Sequence, residues 1–458
     1  MHCWKTSLLT FLLLLSTAGV SSQSEAIRIA VPPRDTVKSV PVDVKPGDDA
    51  IVIRTIKGDG QPLIPFFVHQ ADGTLVGLGD PERPTDVATV PVSPGSYYVI
   101  LRNTSDVDAV VAVSTDKIRA SPDLAVLAVE RVFYATDRKR GPSPPLSFGG
   151  EPGAGLSYGR SDVTIPRAHE MGEVEGPSIW RLEFRVDPTK HIVMGPLVDA
   201  NERLFLSEVR DLVKKSMKHE CLIFVHGFNV PFDDAIRRTA QIKYDIGFDG
   251  VPILFSWPSQ GSLAPSNYRK DERNAALSAD SLHRFLLLLG ANVPGVTIHI
   301  ITHSMGSRVV AGALEQISAE AHAASRKPIG EVAFLAPDID AERFRRAVAK
   351  LTGAAARLTL YASDKDEALL LSQKNAGYKR AGQAGSDLVI VPGIDTIDAT
   401  QVETATLGLR HLYYADNSTI LSDLFQLLRG FSPTDRSARL RQAGTQPNVY
   451  YRFLPAAR

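Results

Sequence analysis

The chain of 458 residues is long enough for two domains rather than one ordinary core. Its 51 Lys and Arg balance 51 Asp and Glu, which removes any global electrostatic case for nucleic acid or an anionic membrane as the partner. A hydrophobic content of 44% is that of a soluble globular protein.

Residues 1–22 read as a secretory signal peptide, with Lys5 as the positive region, an apolar run Leu8–Leu15 and small residues Ser16–Ser22. The run is too short to span a hydrocarbon layer of roughly 30 Å. Export to the periplasm or the exterior is the expectation, with cleavage after Ser22 and an uncleaved anchor as the alternative. Of the two cysteines, Cys3 leaves with the signal. Cys221 then has no partner and opens an apolar run, so it reads as a buried structural thiol. Two Asn-x-Ser/Thr sequons stand at Asn103 and Asn417, meaningful in a host that glycosylates them.

Residues 26–115 are rich in Val and Ile, in short runs such as Ala50–Ile56, Tyr97–Leu101 and Val110–Val113, separated by Gly and Pro. This pattern predicts a small β-sandwich-like domain over 26–120. A wall- or carbohydrate-binding role there has only Phe66, Phe67, Tyr97 and Tyr98 to support it, and such aromatics are more often core. Residues 116–128 read as a linker. The Pro/Gly-rich stretch 138–160 reads as loop and lacks the lysine and following helix of a phosphate cradle.

From residue 205 helix and strand patterns alternate: helix Phe205–Met217, strand Leu222–Val225, helix Asp233–Tyr244, strand Val251–Trp257, helix Asn274–Leu289, strand Val296–Ile301, helix Ser307–Ala319, then strands Glu331–Ala336 and Arg357–Tyr361. The alternation predicts an α/β fold with a mostly parallel sheet and site residues at the carboxyl ends of strands. The catalytic domain is set at 129–430 and a C-terminal tail at 431–458.

The segment Thr302-His303-Ser304-Met305-Gly306 lies between a strand and a helix, the setting of a sharp turn that presents a nucleophilic serine. Gly306 fits the crowded +2 position. Thr302 at −2 departs from the G-x-S-x-G pattern, and a helix N-cap is the bland alternative for Ser304. Ser304 needs a base, and among eleven histidines only His411 lies well downstream of it and of the next strands. Asp366 is the expected acid, with Asp364 and then Asp340 behind it. The turn His226-Gly227-Phe228-Asn229 follows an early strand, so the N–H groups of Phe228 and Met305 are the expected oxyanion donors. His226 and His303 read as turn-stabilising and packing residues. No H-E-x-x-H or paired C-x-x-C occurs, so neither a metal nor an organic cofactor is expected.

The ordered segments Phe224–Asn229, Arg237–Ile242, Phe255–Gly261 and Thr302–Gly306 resemble a bacterial family of α/β hydrolases, described as esterase/lipase-superfamily proteins of uncharacterised function. Val132–Asp137, Tyr158–His169, Tyr361–Asp366 and the segment from His411 extend the resemblance over roughly 130–430. It implies an α/β-hydrolase fold and a Ser-Asp-His triad, here Ser304, Asp366 and His411, without naming a substrate. Carboxylic ester hydrolysis through an acyl-enzyme is the leading expectation, on a small-molecule or lipid ester. A lipase, phospholipase or thioesterase could use the same triad, and a non-catalytic envelope-binding protein could use the same scaffold.

Overall fold

The computed structural model describes residues 26–455 apart from 40, 47, 49, 58–61, 63, 80–84, 93, 119–125, 167–168, 177–185, 262–264, 322–328, 366–376, 403–416 and 437–438. The expected signal peptide lies outside the described residues. The chain divides into two compact units, Met1–Phe66 with Asp80–Ser121, and Phe67–Gly79 with Pro122–Arg458.

The first unit is all β. Its strands are β1 (Ile27–Val31), β2 (Thr36–Lys38), β3 (Val42–Val44), β4 (Ala50–Lys57), then, beyond the hairpin β5 (Phe66–Gln70) and β6 (Leu75–Gly79), β7 (Thr85–Pro91), β8 (Gly95–Arg102) and β9 (Ala109–Ile118). One sheet has the antiparallel order β1-β9-β4-β7, and β2 and β3 pair with β8. Along β8, Tyr97, Val99 and Leu101 are buried and their neighbours are not, the period-2 pattern of a half-buried strand. Phe66, Phe67 and Tyr97 are buried, so these aromatics serve a core. Asn103 is also buried, its amide donating to Val31 O and Val107 O, which leaves that sequon no accessible nitrogen. The hairpin β5–β6 groups with the second unit.

The second unit carries a mixed sheet flanked by helices. Its elements are β10 (Val126–Arg140), β11 (Phe148–Pro166), β12 (Val193–Met194), β13 (Val198–Ala200), α1 (Glu202–Val213), β14 (Glu220–Val225), α2 (Phe232–Asp245), β15 (Val251–Ser256), α3 (Pro265–Asn292), β16 (Thr297–His303), α4 (Gly306–Ala321), β17 (Ile329–Leu335), α5 (Ala341–Ala354), β18 (Ala355–Ala362), β19 (Asp395–Asp398), α6 (Ser418–Leu428), β20 (Leu440–Ala443) and β21 (Tyr450–Phe453). The order is β12-β11-β10-β15-β14-β16-β17-β18-β19-β21-β20, with β13 beside β11. From β10 to β21 every pairing is parallel; antiparallel strands close both edges. Strands β14 to β17 are buried on both faces, which is why their apolar residues do not alternate with exposed polar ones. Cys221 sits in this core with its thiol pushed well up by burial, as expected of a structural thiol. Asn201 and Asp340 cap α1 and α5 through their side-chain oxygens.

Three expectations differ from the fold. The stretch 138–160 is largely strand, since β10 runs to Arg140 and β11 starts at Phe148. Some of its glycines answer to close packing: a Cβ on Gly159 would stand 2.2 Å from Val198 O, and one on Gly150 would stand 2.8 Å from Ser259 O. The tail 431–458 supplies the hairpin β20–β21, which extends the sheet beyond β19. Helix α3 also begins at Pro265, earlier than Asn274. Among the described residues no helix is long and apolar enough to cross a membrane.

Candidate active site

Because β14, β16, β17, β18 and β19 run parallel, their carboxyl ends share one edge of the sheet. Ser304 sits at that edge, between the end of β16 and the start of α4. Its φ is +51°, a left-handed conformation uncommon for a residue with a side chain. Hydrogen bonds hold it there. Ser304 N donates to Leu335 O (2.9 Å), and Ser304 O accepts from Ser307 N (3.1 Å) and Asp338 N (3.1 Å). A helix N-cap needs a β-region backbone, so this geometry disfavours the bland reading of Ser304.

Two glycines let the turn close. A Cβ on Gly306 would stand 2.2 Å from His226 O and 2.8 Å from Val225 O. One on Gly227 would stand 3.0 Å from both Ser304 Cβ and His303 Nδ1. Thr302, where the strict pattern has glycine, is buried between Val225 and Phe334 on neighbouring strands, and its Oγ1 has no hydrogen-bond partner among the described residues. Position −2 therefore accommodates a small β-branched side chain within the buried strand.

The loop after β14 faces this turn, with Gly227 packed on Ser304 and Phe228 meeting the Tyr268 ring edge-on at 5.3 Å. Neither the Phe228 nor the Met305 N–H has an acceptor among the described residues. A buried cation braces the loop from behind. Arg138 donates from Nη2 to Val230 O (2.7 Å) and His226 Nε2 (3.1 Å), from Nη1 to Ser259 O (3.0 Å) and Gly149 O (3.1 Å), and from Nε to Ser256 Oγ (2.7 Å). Burial brings its pKa down to about 10, so it stays charged at neutral pH. His226 is kept neutral by burial and then by the Arg138 charge. Its Nδ1 lies 2.9 Å from Gly227 O, which assigns the proton to Nδ1 and leaves Nε2 to accept. The ring stacks on Trp257, whose Nε1 donates to His226 O (2.7 Å). His226 thus fits the turn-stabilising role.

Of the expected acids, Asp340 is committed to capping α5 through Arg343 N, and Asp364 is exposed beyond β18. Asp366 and His411 lie outside the described residues. A carboxylate that sequence reasoning missed, Asp338, stands just past β17. It accepts from Tyr268 OH (2.6 Å), pairs with the buried Arg380 (2.9 Å), and its carbonyl accepts from Arg308 Nε (2.6 Å). These partners, each drawn from a different element, fix the segment that holds Ser304 O.

A cavity of about 660 Å³ adjoins the turn. Gly227, His226, His303 and Leu335 form the part next to Ser304, Val174, Val186 and Ile192–Met194 the far wall, and Asp233, Asp234, Arg237 and Arg238 of α2 the charged margin. Asp234 and Arg237 pair with each other, and Arg238 donates to Gly172 O (3.1 Å) and Gln241 Oε1 (2.9 Å). The far wall is tied down by a buried ionic cluster. His169 donates from Nδ1 to Glu175 (2.9 Å) and from Nε2 to Asp245 (2.8 Å), and Asp245 also accepts from Gly172 N (2.7 Å). Burial disfavours the imidazolium, but the two carboxylates outweigh it and raise its pKa to about 10.

Residues 202–429 match the family model described as an alpha/beta hydrolase of unknown function. An uncharacterised protein of Nostoc sp. is 27% identical over 148 residues, covering 27% of this chain and 37% of the relative. The chain thus spans little more than a third of that curated relative's length. Among solved structures, the pre-peptidase C-terminal domain of a Bacillus anthracis collagenase is 17% identical over 20% of this chain and 86% of its own (TM-score 0.18). A Podospora anserina GH26-CBM35 β-(1,4)-mannanase is 9% identical over 85% of this chain and 90% of its own (TM-score 0.15). Both TM-scores are too low to define a shared fold.

Proposed function

Since residues 202–429 belong to a family of α/β hydrolases of unknown function, we propose that the chain is an exported serine hydrolase that cleaves carboxylic esters. The observation that carries this reading is the left-handed Ser304 at the end of β16, packed against Gly227, with Gly306 of the same turn closed against His226 O. Such strain persists only where the surroundings over-determine it, and it clusters at functional sites.

In the proposed reaction Ser304 Oγ attacks the ester carbonyl carbon while His411 takes its proton and Asp366 steadies the imidazolium. The N–H groups of Phe228 and Met305 receive the oxyanion. The C–O bond to the alcohol breaks, the alcohol leaves with the proton from His411, and an acyl-Ser304 ester remains. Water then gives a proton to His411, its oxygen bonds to the acyl carbon, and the acid departs as Ser304 Oγ regains the proton.

The test is labelling by a fluorophosphonate together with hydrolysis of p-nitrophenyl esters of increasing chain length, in wild type, Ser304→Ala and His411→Ala. Loss of labelling in Ser304→Ala and a fall in kcat of roughly 10⁴-fold or more in both variants are expected. Activity retained in Ser304→Ala would overturn the assignment, and an unlabelled wild type would favour a binding role for the scaffold.

A further inference from the structure

We propose that the cavity beside Ser304 is an acyl pocket, and that Val174, Val186 and Ile192–Met194 form the wall that sets which acyl groups fit. The proposal rests on the serine-hydrolase reading above and adds a substrate class: neutral esters with an apolar acyl group well longer than acetyl.

Position gives the first support. Gly227 lines the cavity, and the place its Cβ would take is 3.0 Å from Ser304 Cβ. His303 and Leu335, the chain neighbour of Ser304 and the acceptor of its N–H, line it too. An acyl group bound to Ser304 Oγ starts next to this space.

Chemistry gives the second. The lining includes Val174, Val186, Ile192, Val193, Met194, Phe224 and Leu335, an apolar surface with no lone charge among these side chains. The four charged lining residues all come from α2 and sum to zero, two Asp against two Arg, with Asp234 and Arg237 already paired. Such a margin gives a charged acyl group no excess of opposite charge to bind. The volume of about 660 Å³ lies inside the range of roughly 300–1,000 Å³ typical of small-molecule sites. An acetyl group would leave most of it unfilled.

Construction gives the third. The far wall comes from Val174, Val186 and Ile192–Met194, outside the matched residues 202–429. It is joined to the sheet by the pairing of Val193 and Met194 with Thr164 and Val163 of β11. The ion cluster of His169, Glu175 and Asp245 fastens its near end to α2. A wall held this firmly can exclude as well as admit, which is what selectivity by shape requires.

The experiment compares kcat/KM for p-nitrophenyl octanoate and acetate in wild type, Val174→Trp, Val193→Trp and Met194→Ala, with Ser304 labelling as a separate readout. The two tryptophans narrow the space from different parts of the wall, and the alanine widens it. Each methylene excluded from an apolar pocket is worth roughly tenfold or more in kcat/KM. The octanoate-to-acetate ratio should therefore fall at least about tenfold in either tryptophan variant, and the preferred chain should lengthen in Met194→Ala. A ratio unmoved in all three, in protein still labelled at Ser304, would overturn the pocket assignment while leaving the serine mechanism standing. Absence of labelling in wild type would instead overturn the reading on which the pocket rests. Should the tryptophan variants misfold, Met194→Ala decides alone, by whether its chain-length optimum moves.

Discussion

Replacing His169 by Gln tests the ionic cluster, and the pH dependence of the loss carries the information. In the folded chain both ring nitrogens face carboxylates, so the imidazolium is the stable form. Its pKa is raised from 6.5 to about 10. At about 1.36 kcal/mol for each tenfold step in acidity, that difference corresponds to at most roughly 4–5 kcal/mol of stability. A raised pKa stabilises fully below the unfolded value near 6.5, and the contribution disappears as pH climbs through about 10. Glu175, whose pKa is lowered on balance although burial alone would raise it, behaves oppositely: its contribution is present above its unfolded value and is lost as pH falls through the folded one. The cluster therefore stabilises most from mildly acidic to neutral pH. The substitution removes the cation and leaves the carboxylates of Asp245 and Glu175 facing a neutral amide, a loss of about 3–5 kcal/mol by the usual cost of breaking a buried pair. Denaturant titrations followed by tryptophan fluorescence at pH 6.5 and pH 10.5 should show that gap at the lower pH and a much smaller one at the higher. A gap below about 1 kcal/mol at pH 6.5, or one that does not change with pH, would refute a charged His169.

Gly306→Ala would place a methyl group 2.2 Å from His226 O, so the loop carrying Phe228 must move; ester hydrolysis should fall about 10²-fold or more, read as kcat on a short-chain ester. Arg138→Met leaves three carbonyls and Ser256 without their charged donor, and should lower stability by about 3 kcal/mol or more in a denaturant titration. Arg138→Lys should recover little of that loss, because an ammonium cannot reproduce the planar fork that reaches five acceptors.

What could be read along the chain was whatever depends on near neighbours in sequence. The apolar runs of β14 to β17 announced a parallel sheet because both faces of each strand are buried. The turn at Ser304 announced itself through the local order of strand, Ser-x-Gly and helix, although the crowding that requires glycine at 306 comes from Val225 O and His226 O, some 80 residues away. The hairpin β10–β11 was hidden because glycines that serve close packing have the same letters as glycines that serve turns. Gly159 faces Tyr134 and Val198, and Gly150 faces Ser259 and Gln260, contacts with no local signature. Arg138 was invisible for the same reason: its partners Val230 and Ser259 lie 92 and 121 residues away. His169 and Asp245 are 76 residues apart. Asp338 was passed over in favour of Asp340, yet Asp340 has the nearby partner, the N–H of Arg343, while Asp338 is engaged by Tyr268 and Arg380 from distant elements.

The site joins two features that each work against stability. Ser304 holds a left-handed backbone, and Arg138 is a buried cation whose direct hydrogen-bond partners are all neutral. Placing a charge in the interior is expensive unless polar groups replace the lost water, and here three carbonyls, a hydroxyl and a neutral imidazole do so. Both features press on the same few residues. Arg138 fixes the loop 226–230 from behind, Gly227 of that loop contacts Ser304 in front, and His226 O closes over Gly306. Any relaxation of Ser304 toward an ordinary conformation has to displace a loop that the cation anchors, while Leu335 and Asp338 hold the serine peptide from the other side. The strained turn therefore persists because strands β10, β14, β16 and β17 and the loop after β15 constrain it together, and the stability surrendered at one serine is recovered in the buried sheet beneath it.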